Sequence, residues 1–262
     1  MCGLVGVAGK LGAAEERAFK TLLMIDTIRG PDSTGVAVVD DSGGVSVSKA
    51  LGTPWDLFDT GHYRSTISGT NNCIIGHNRA ATRGKVRKCT AHPFEFDRLV
   101  GVHNGTLTKQ YLLDDHQNFS VDSENIFYHM EKKGVNDTVS NLCGAYALIW
   151  FDKKEKELNF LRNAQRPLYF CYSEDRKTLF WASESWMLTV ALTREKIAYK
   201  EIQEVQVDTH YRFLVPLGLT YKAEPFDKIR TRKVYPYKEP PTQKKWSGYS
   251  LGQNQWQQDR QV

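Results

Sequence analysis

The sequence predicts an α+β fold in which antiparallel sheets pack face to face and helices cover them. Three observations carry that expectation. Short apolar runs rich in β-formers recur at regular intervals between Gly-, Asp- and Lys-bearing turns. Two longer stretches place their apolar residues at helical spacing. A chain of 262 residues, 40% hydrophobic and 25% charged, can bury a layered core.

The elements follow in chain order. CGLVGVAG alternates and reads as a strand. AAEERAFKTLLMIDTIRG carries Ala18, Leu22, Ile25 and Ile28 on one helical face and stops at Gly30. TGVAVVD and GVSVSKA, joined through DSGG, read as a hairpin. CIIGHNRAAT and LVGVHNGTL each begin as a strand and end in polar residues, and SENIFYHMEKKG between Ser123 and Gly134 is a second amphipathic helix. GAYALIWFD, KELNFLRNA, PLYFCYS and TLFWASES then follow closely, with DKKEKE and EDRK as turns, and read as consecutive hairpin strands. From about residue 225 the apolar period is lost in a Pro-, Gln- and Lys-rich stretch. We therefore expect an ordered domain over residues 1–221 and a basic, flexible extension over 222–262.

The charge is unevenly placed. The net +5 comes entirely from the nine Lys/Arg and four Asp/Glu between Lys222 and the C-terminus. The preceding 221 residues balance to zero, so a high isoelectric point is no argument for a nucleic-acid-binding domain. Five cysteines, an odd number without a CxxC, argue against a disulfide framework and a zinc site. No apolar run reaches the roughly 18 residues of a membrane span, and no leader pattern opens the chain. A cytoplasmic location without membrane contact is expected.

Four polar stretches interrupt this pattern: RGPDSTG (Arg29–Gly35), GHNRAATRG (Gly76–Gly84), HNG (His103–Gly105) and VDSEN (Val121–Asn125). Each alone has a plain structural reading: a Pro-Asp turn, a strand-end arginine, an Asn-Gly turn, a helix N-cap. His77 and His92 taken singly are structural histidines. Cys2 is different, because loss of Met1 leaves a thiol and an α-amino group on one residue. That amine has a reference pKa of about 7.7–8.0, so it can accept a proton near neutrality. The same cysteine also reads as a small buried residue opening a strand.

Together, Cys2, RGPDSTG, GHNRAATRG, HNG and DSE, in that order, resemble the class II glutamine amidotransferase domain, an N-terminal-nucleophile hydrolase. The resemblance covers roughly residues 2–215 and includes RNAQRPLYF and WASES, similar to the family's second-half strands. It implies a four-layer αββα sandwich and hydrolysis of the glutamine side-chain amide. Cys2 would be the nucleophile with its own α-amino group as base, through a γ-glutamyl thioester. It implies an oxyanion hole from the Asn104 side chain and the Gly105 N–H. It assigns Arg79 and Thr82 to the glutamine α-carboxylate and Asp122 to the α-ammonium, with His103 on the substrate side. Arg29, Asp32 and His77 support the loops, and His92 is a further candidate for that role. No metal or organic cofactor is implied. Two departures stand out. Position 80 is Ala where many members carry an aromatic residue, and the motifs mix features of different branches.

With no phosphate-cradling or SGGxDS-like stretch, the chain reads as a stand-alone glutaminase half. L-glutamine is the expected substrate, and a separate synthetase subunit the ammonia acceptor. The aromatic-bearing tail, with Tyr235, Tyr237, Trp246, Tyr249 and Trp256, reads equally as a docking element or a solvated extension. Two alternatives remain open at this point: a γ-glutamyl or other amide hydrolase of the same nucleophile type, and a glutamine-binding regulatory module without turnover.

Overall fold

Strands buried on both faces need apolar residues at every position, and that is how the central strands of this chain are written. The computed structural model describes residues 1–67, 70–82, 84–215 and 220–226, all within a unit running Met1–Thr231. Chain order is β1 (Gly3–Gly9), α1 (Ala13–Asp26), β2 (Ser33–Asp40), β3 (Val45–Leu51), α2 (Pro54–Phe58), α3 (Gly61–Ile67) and β4 (Asn71–Arg79). Then come β5 (Phe94–Glu95), β6 (Leu99–Leu107), α4 (Asp122–Lys133), α5 (Val135–Asn141), β7 (Gly144–Asp152) and β8 (Glu157–Arg162). The chain continues through β9 (Tyr169–Tyr172), β10 (Thr178–Ala182), α6 (Ser185–Arg194), β11 (Gln203–Glu204), β12 (Thr209–Leu214) and β13 (Tyr221–Pro225).

Two antiparallel sheets result. The first has the order β11-β9-β10-β1-β4-β2-β3, and the second β13-β12-β8-β7-β6-β5. Side chains alternate between layers with the period of two. Leu4, Ala8, Ala37, Val39, Cys73 and Ile75 meet Val100, Val102, Ala147, Ile149, Phe160 and Phe213 between the sheets. Their sequence neighbours Val5, Val7, Val36, Val38 and Ile74 face outward onto Phe19, Leu22 and Leu23 of α1 and Met187 and Leu188 of α6. On the far side, Leu148, Trp150 and Leu161 pack under Ile126, Phe127 and Met130 of α4 and Val139 of α5. The layers are therefore helix, sheet, sheet, helix, the αββα sandwich expected.

Several details differ from the sequence reading. The four late strands are not one run of hairpins: β7 pairs with β8 and β9 with β10, but the chain changes sheets between Arg162 and Tyr169. Helices α2, α3, α5 and α6 were not anticipated, and α6 starts at the end of the stretch read as the TLFWASES strand. Ile28 leaves the apolar stripe of α1, because Thr27–Arg29 tightens into a 3₁₀ turn and exposes it. The strand β13 runs to Pro225 and pairs with β12, so residues 222–225 are part of the second sheet. The remainder of the anticipated extension, from 227 onward, lies outside the described residues.

Candidate active site

The central strand of the first sheet, β1, brings the N-terminus between β10 and β4. Cys2 is buried just ahead of it, and Met1 before it is exposed. The Cys2 Sγ donates to the Ala80 carbonyl at 3.5 Å, and the Cys2 carbonyl accepts from Arg29 Nε at 3.1 Å. Arg29 also pairs with Glu184, at the junction of β10 and α6. Burial pushes the Cys2 thiol above its ordinary pKa, opposed by the Ala80 contact, the positive chain terminus and Arg79.

The stretch after β4 wraps over this cysteine. Asp32 fixes it, since the Ala81 N–H donates to Asp32 Oδ2 at 2.7 Å and the Asp32 N–H donates to the Arg79 carbonyl at 3.0 Å. Arg79 is buried, with Nη1 donating to Thr90 Oγ1 at 3.2 Å. The Thr82 and Thr106 hydroxyls meet at 3.1 Å, tying this loop to the end of β6 in the second sheet. RGPDSTG, GHNRAATRG and HNG thus converge with Cys2 where the two sheets end.

His77 makes the other bridge between sheets, its Nε2 lying 3.1 Å from the His103 carbonyl. His92 stacks on His77 at 3.8 Å between ring centroids. Burial lowers the pKa of both rings, that of His77 to about 3, so both are neutral at physiological pH. His103 is also buried, its Nδ1 held 2.9 Å from Ser123 Oγ and its Nε2 turned toward the Ala145 carbonyl.

The next two residues of β6 are Asn104 and Gly105. Asn104 is buried, yet its Nδ2 has no acceptor among the described residues. A Cβ on Gly105 would lie 1.9 Å from the Ala145 carbonyl, so only glycine lets the strand lie this close to β7. Asp122 closes the end of the same strand. Its Oδ2 accepts from the Leu107 N–H at 2.7 Å and its Oδ1 from the Ser123 N–H at 3.0 Å. The carboxylate is buried and fixed by backbone, with lone pairs left for a further donor.

Sequence reasoning missed Asp26 and Asn78. Asp26 is fully buried, and Asn78 Nδ2 donates to its Oδ2 at 3.0 Å. Burial pushes the Asp26 carboxyl up to about 7. The signal was available: Asp26 lies four residues after Leu22, so the apolar stripe of α1 places a carboxylate in the core. Among the described residues, no three His, Cys, Asp or Glu side chains form a group able to hold a metal, and no helix is long and apolar enough to cross a membrane.

Comparison with known proteins bears on the family and the fold. Residues 56–224 match the family described as "Glutamine amidotransferase domain". The glutamine–fructose-6-phosphate aminotransferase (isomerizing) of Bacillus licheniformis is 32% identical over 187 residues, covering 64% of this chain and 30% of the relative. That of Bacillus subtilis is 31% identical over the same length and shares. The chain thus spans about a third of the length of these relatives. Among solved structures, a glutamine phosphoribosylpyrophosphate amidotransferase from B. subtilis superimposes with a TM-score of 0.66 at 23% identity, over 86% of this chain and 49% of that one. A glutamine aminotransferase class-II domain protein from Silicibacter pomeroyi gives 0.53 at 14% identity, over 86% of this chain and all of that one. These two likenesses speak to the fold. The family match begins after Cys2 and RGPDSTG, so those two rest on the contacts described above.

Proposed function

The chain belongs to the glutamine amidotransferase domain family, class II, and from that premise we propose that it hydrolyses the side-chain amide of L-glutamine at Cys2 once Met1 has been removed. The observation that carries this reading is Asn104, a buried amide whose Nδ2 donor meets no acceptor among the described residues. A donor left open in a protein interior costs about 1–3 kcal/mol, which a role in binding an oxyanion explains.

The steps follow from the residues. The α-amino group of Cys2 takes the thiol proton as Sγ bonds to the amide carbon. Negative charge collects on the former carbonyl oxygen, and Asn104 Nδ2 with the Gly105 N–H stabilises it. One such donor is worth about 3 kcal/mol. The amine returns its proton to the departing nitrogen, ammonia leaves, and water hydrolyses the γ-glutamyl thioester to glutamate.

Arg79 binds the glutamine α-carboxylate, helped by the Thr82 hydroxyl, and Asp122 receives the α-ammonium. His103, engaged by Ser123, is better assigned to support beneath Asn104 than to substrate contact. Arg29 and Asp32 hold the loops around Cys2, and His77 and His92 prop β4 against β6. The glutaminase domain then extends to Pro225, with the sheet that β13 completes. Ammonia passes to an acceptor, carried either on a further domain or on a separate synthetase subunit.

Intact mass with and without 6-diazo-5-oxo-L-norleucine tests the reading. The expected result is loss of the methionine mass and one adduct mapping to Cys2. Retained Met1 without an adduct overturns it and favours a binding module.

A further inference from the structure

Asp26 is a buried carboxylate that the reading of the active site leaves without a role. It is the last residue of α1, fully buried, and continues the stripe that Ala18 and Leu22 press against the first sheet. Its Oδ2 is held by Asn78, whose backbone is the cross-strand partner of Gly3. Asn78 is fixed in turn, donating to the Leu23 carbonyl at 2.7 Å and accepting from Thr34 Oγ1 at 2.7 Å. The Asp26 Oδ1 has no hydrogen-bond partner among the described residues. A Cβ on Gly3 would lie 1.9 Å from both carboxylate oxygens, so the carboxylate rests directly against the residue that follows Cys2. Gly3 is what makes room for it.

We propose that Asp26 is a positioning residue for the nucleophile, its carboxylate acting through the N-terminal strand to stabilise the ammonium form of the Cys2 α-amino group. This rests on the reading of Cys2 as an N-terminal nucleophile. The proton moves from Sγ to the α-nitrogen as the S–C bond forms and from the α-nitrogen to the leaving ammonia. Asp26 keeps its own charge state throughout and makes the amine the stronger base. The groups that bear on it are the chain terminus, here the Met1 amine, together with Arg29 from the turn after α1 and Glu184 ahead of α6, and Asp26 in turn acts on the Cys2 thiol just ahead of β1, as does Arg79 at the end of β4. Arg29 and Glu184 pair with one another, and loss of Met1 brings the terminal amine onto Cys2, the residue next to the glycine that Asp26 rests against. An orphaned carboxylate in the core costs free energy, and a role at the reaction centre accounts for keeping it.

The test compares wild type with Asp26→Asn, which keeps the side-chain shape and an acceptor for Asn78. Asp26→Leu, which extends the apolar stripe, serves if the amide variant fails to fold. Two pH profiles are read: kcat/KM for glutamine, and the rate of iodoacetamide alkylation at Cys2. Removing the negative charge disfavours the ammonium and eases thiol ionisation. The acid limb of both profiles should move to lower pH by about one unit, and the plateau kcat should fall several-fold. A merely structural role lowers stability and leaves both limbs in place. Superimposed limbs in a wild type that has lost Met1 and takes the diazo-oxo-norleucine adduct overturn this inference alone. A wild type that keeps Met1 and takes no adduct overturns the glutaminase reading, and this inference with it.

Discussion

The space between the sheets and the end of the sheets are equally buried and oppositely built. Between the sheets, Phe160 packs edge-on to Trp181 at 5.3 Å and against Phe213 at 4.9 Å, and nearly every contact is apolar. At the sheet ends, polar atoms are buried with their valences open. Eleven buried side-chain atoms lack a hydrogen-bond partner among the described residues, and seven belong to Asp26, Arg29, Ser33, His77, His92 and Asn104. Trp181 Nε1 is the exception inside the apolar layer. Unsatisfied polar groups cost about 1–3 kcal/mol each, so their concentration around Cys2 marks the part of the fold that is not optimised for stability. The core closes its contacts and holds shape, while the sheet ends leave buried donors and acceptors without partners among the described residues.

Substitutions can break that contrast from either side. The largest effect is expected from Cys2→Ala, which should lower glutaminase turnover by about 10⁴–10⁶-fold while the thermal midpoint stays within a few degrees of wild type. Phe160→Ala should do the reverse, costing about 3–5 kcal/mol in urea unfolding and leaving KM for glutamine unchanged in the folded fraction. Asn104→Ala should lower kcat by about 10²–10³-fold and leave stability unchanged or raised, because it deletes a donor that has no acceptor among the described residues. A stability loss at Asn104 as large as at Phe160 would erase the distinction between the two regions. Arg79→Ala should act mainly on KM, since the proposed role of Arg79 is to hold the part of glutamine that does not react.

Most of this organisation was legible in the residues. The runs GLVGVAG and STGVAVVD are realised as strands buried on both faces, and the five motifs come together through Cys2–Ala80, Asp32–Ala81, Thr82–Thr106, His77–His103 and His103–Ser123. What was not legible has physical causes. The sheet change between β8 and β9 depends on which face each strand buries, and a run of similar apolar strands does not encode that choice. Helix α2 was readable after all: the Thr53 N–H and hydroxyl both donate to Asp56 Oδ2, with Pro54 in the first turn, a pattern written in TPWD. Asp26 was passed over because a lone carboxylate on a helix reads as solvent-facing until its neighbours on the stripe are counted. Ile28 fell the other way, since the three-residue 3₁₀ turn Thr27–Arg29 brings a core position outward.

The smallest effect expected is also the most specific to the contrast, and it lies in the pH dependence of stability. Burial holds the pKa of His77 to about 3 and of His210 to about 4, and lowers that of His92 and His103, all below their unfolded value of about 6.5. For these rings the native state binds fewer protons than the unfolded chain, so stability is full above pH 6.5 and is lost as pH falls toward 3–4. Asp26 has the opposite sign. Its folded pKa of about 7 lies above the unfolded value of about 3.9, so its contribution is full below pH 4 and is lost as pH rises to 7. Four rings outweigh one carboxylate, and the wild type should gain stability from pH 4 to pH 6.5. In Asp26→Asn the opposing contribution is gone, so the variant should gain on wild type progressively between pH 4 and pH 7, with a constant difference above that. Urea midpoints at pH 4.5, 5.5, 6.5 and 7.5 would show the two curves diverging. Parallel curves would mean that Asp26 does not titrate in this window and that the open valences around Cys2 are electrostatically inert.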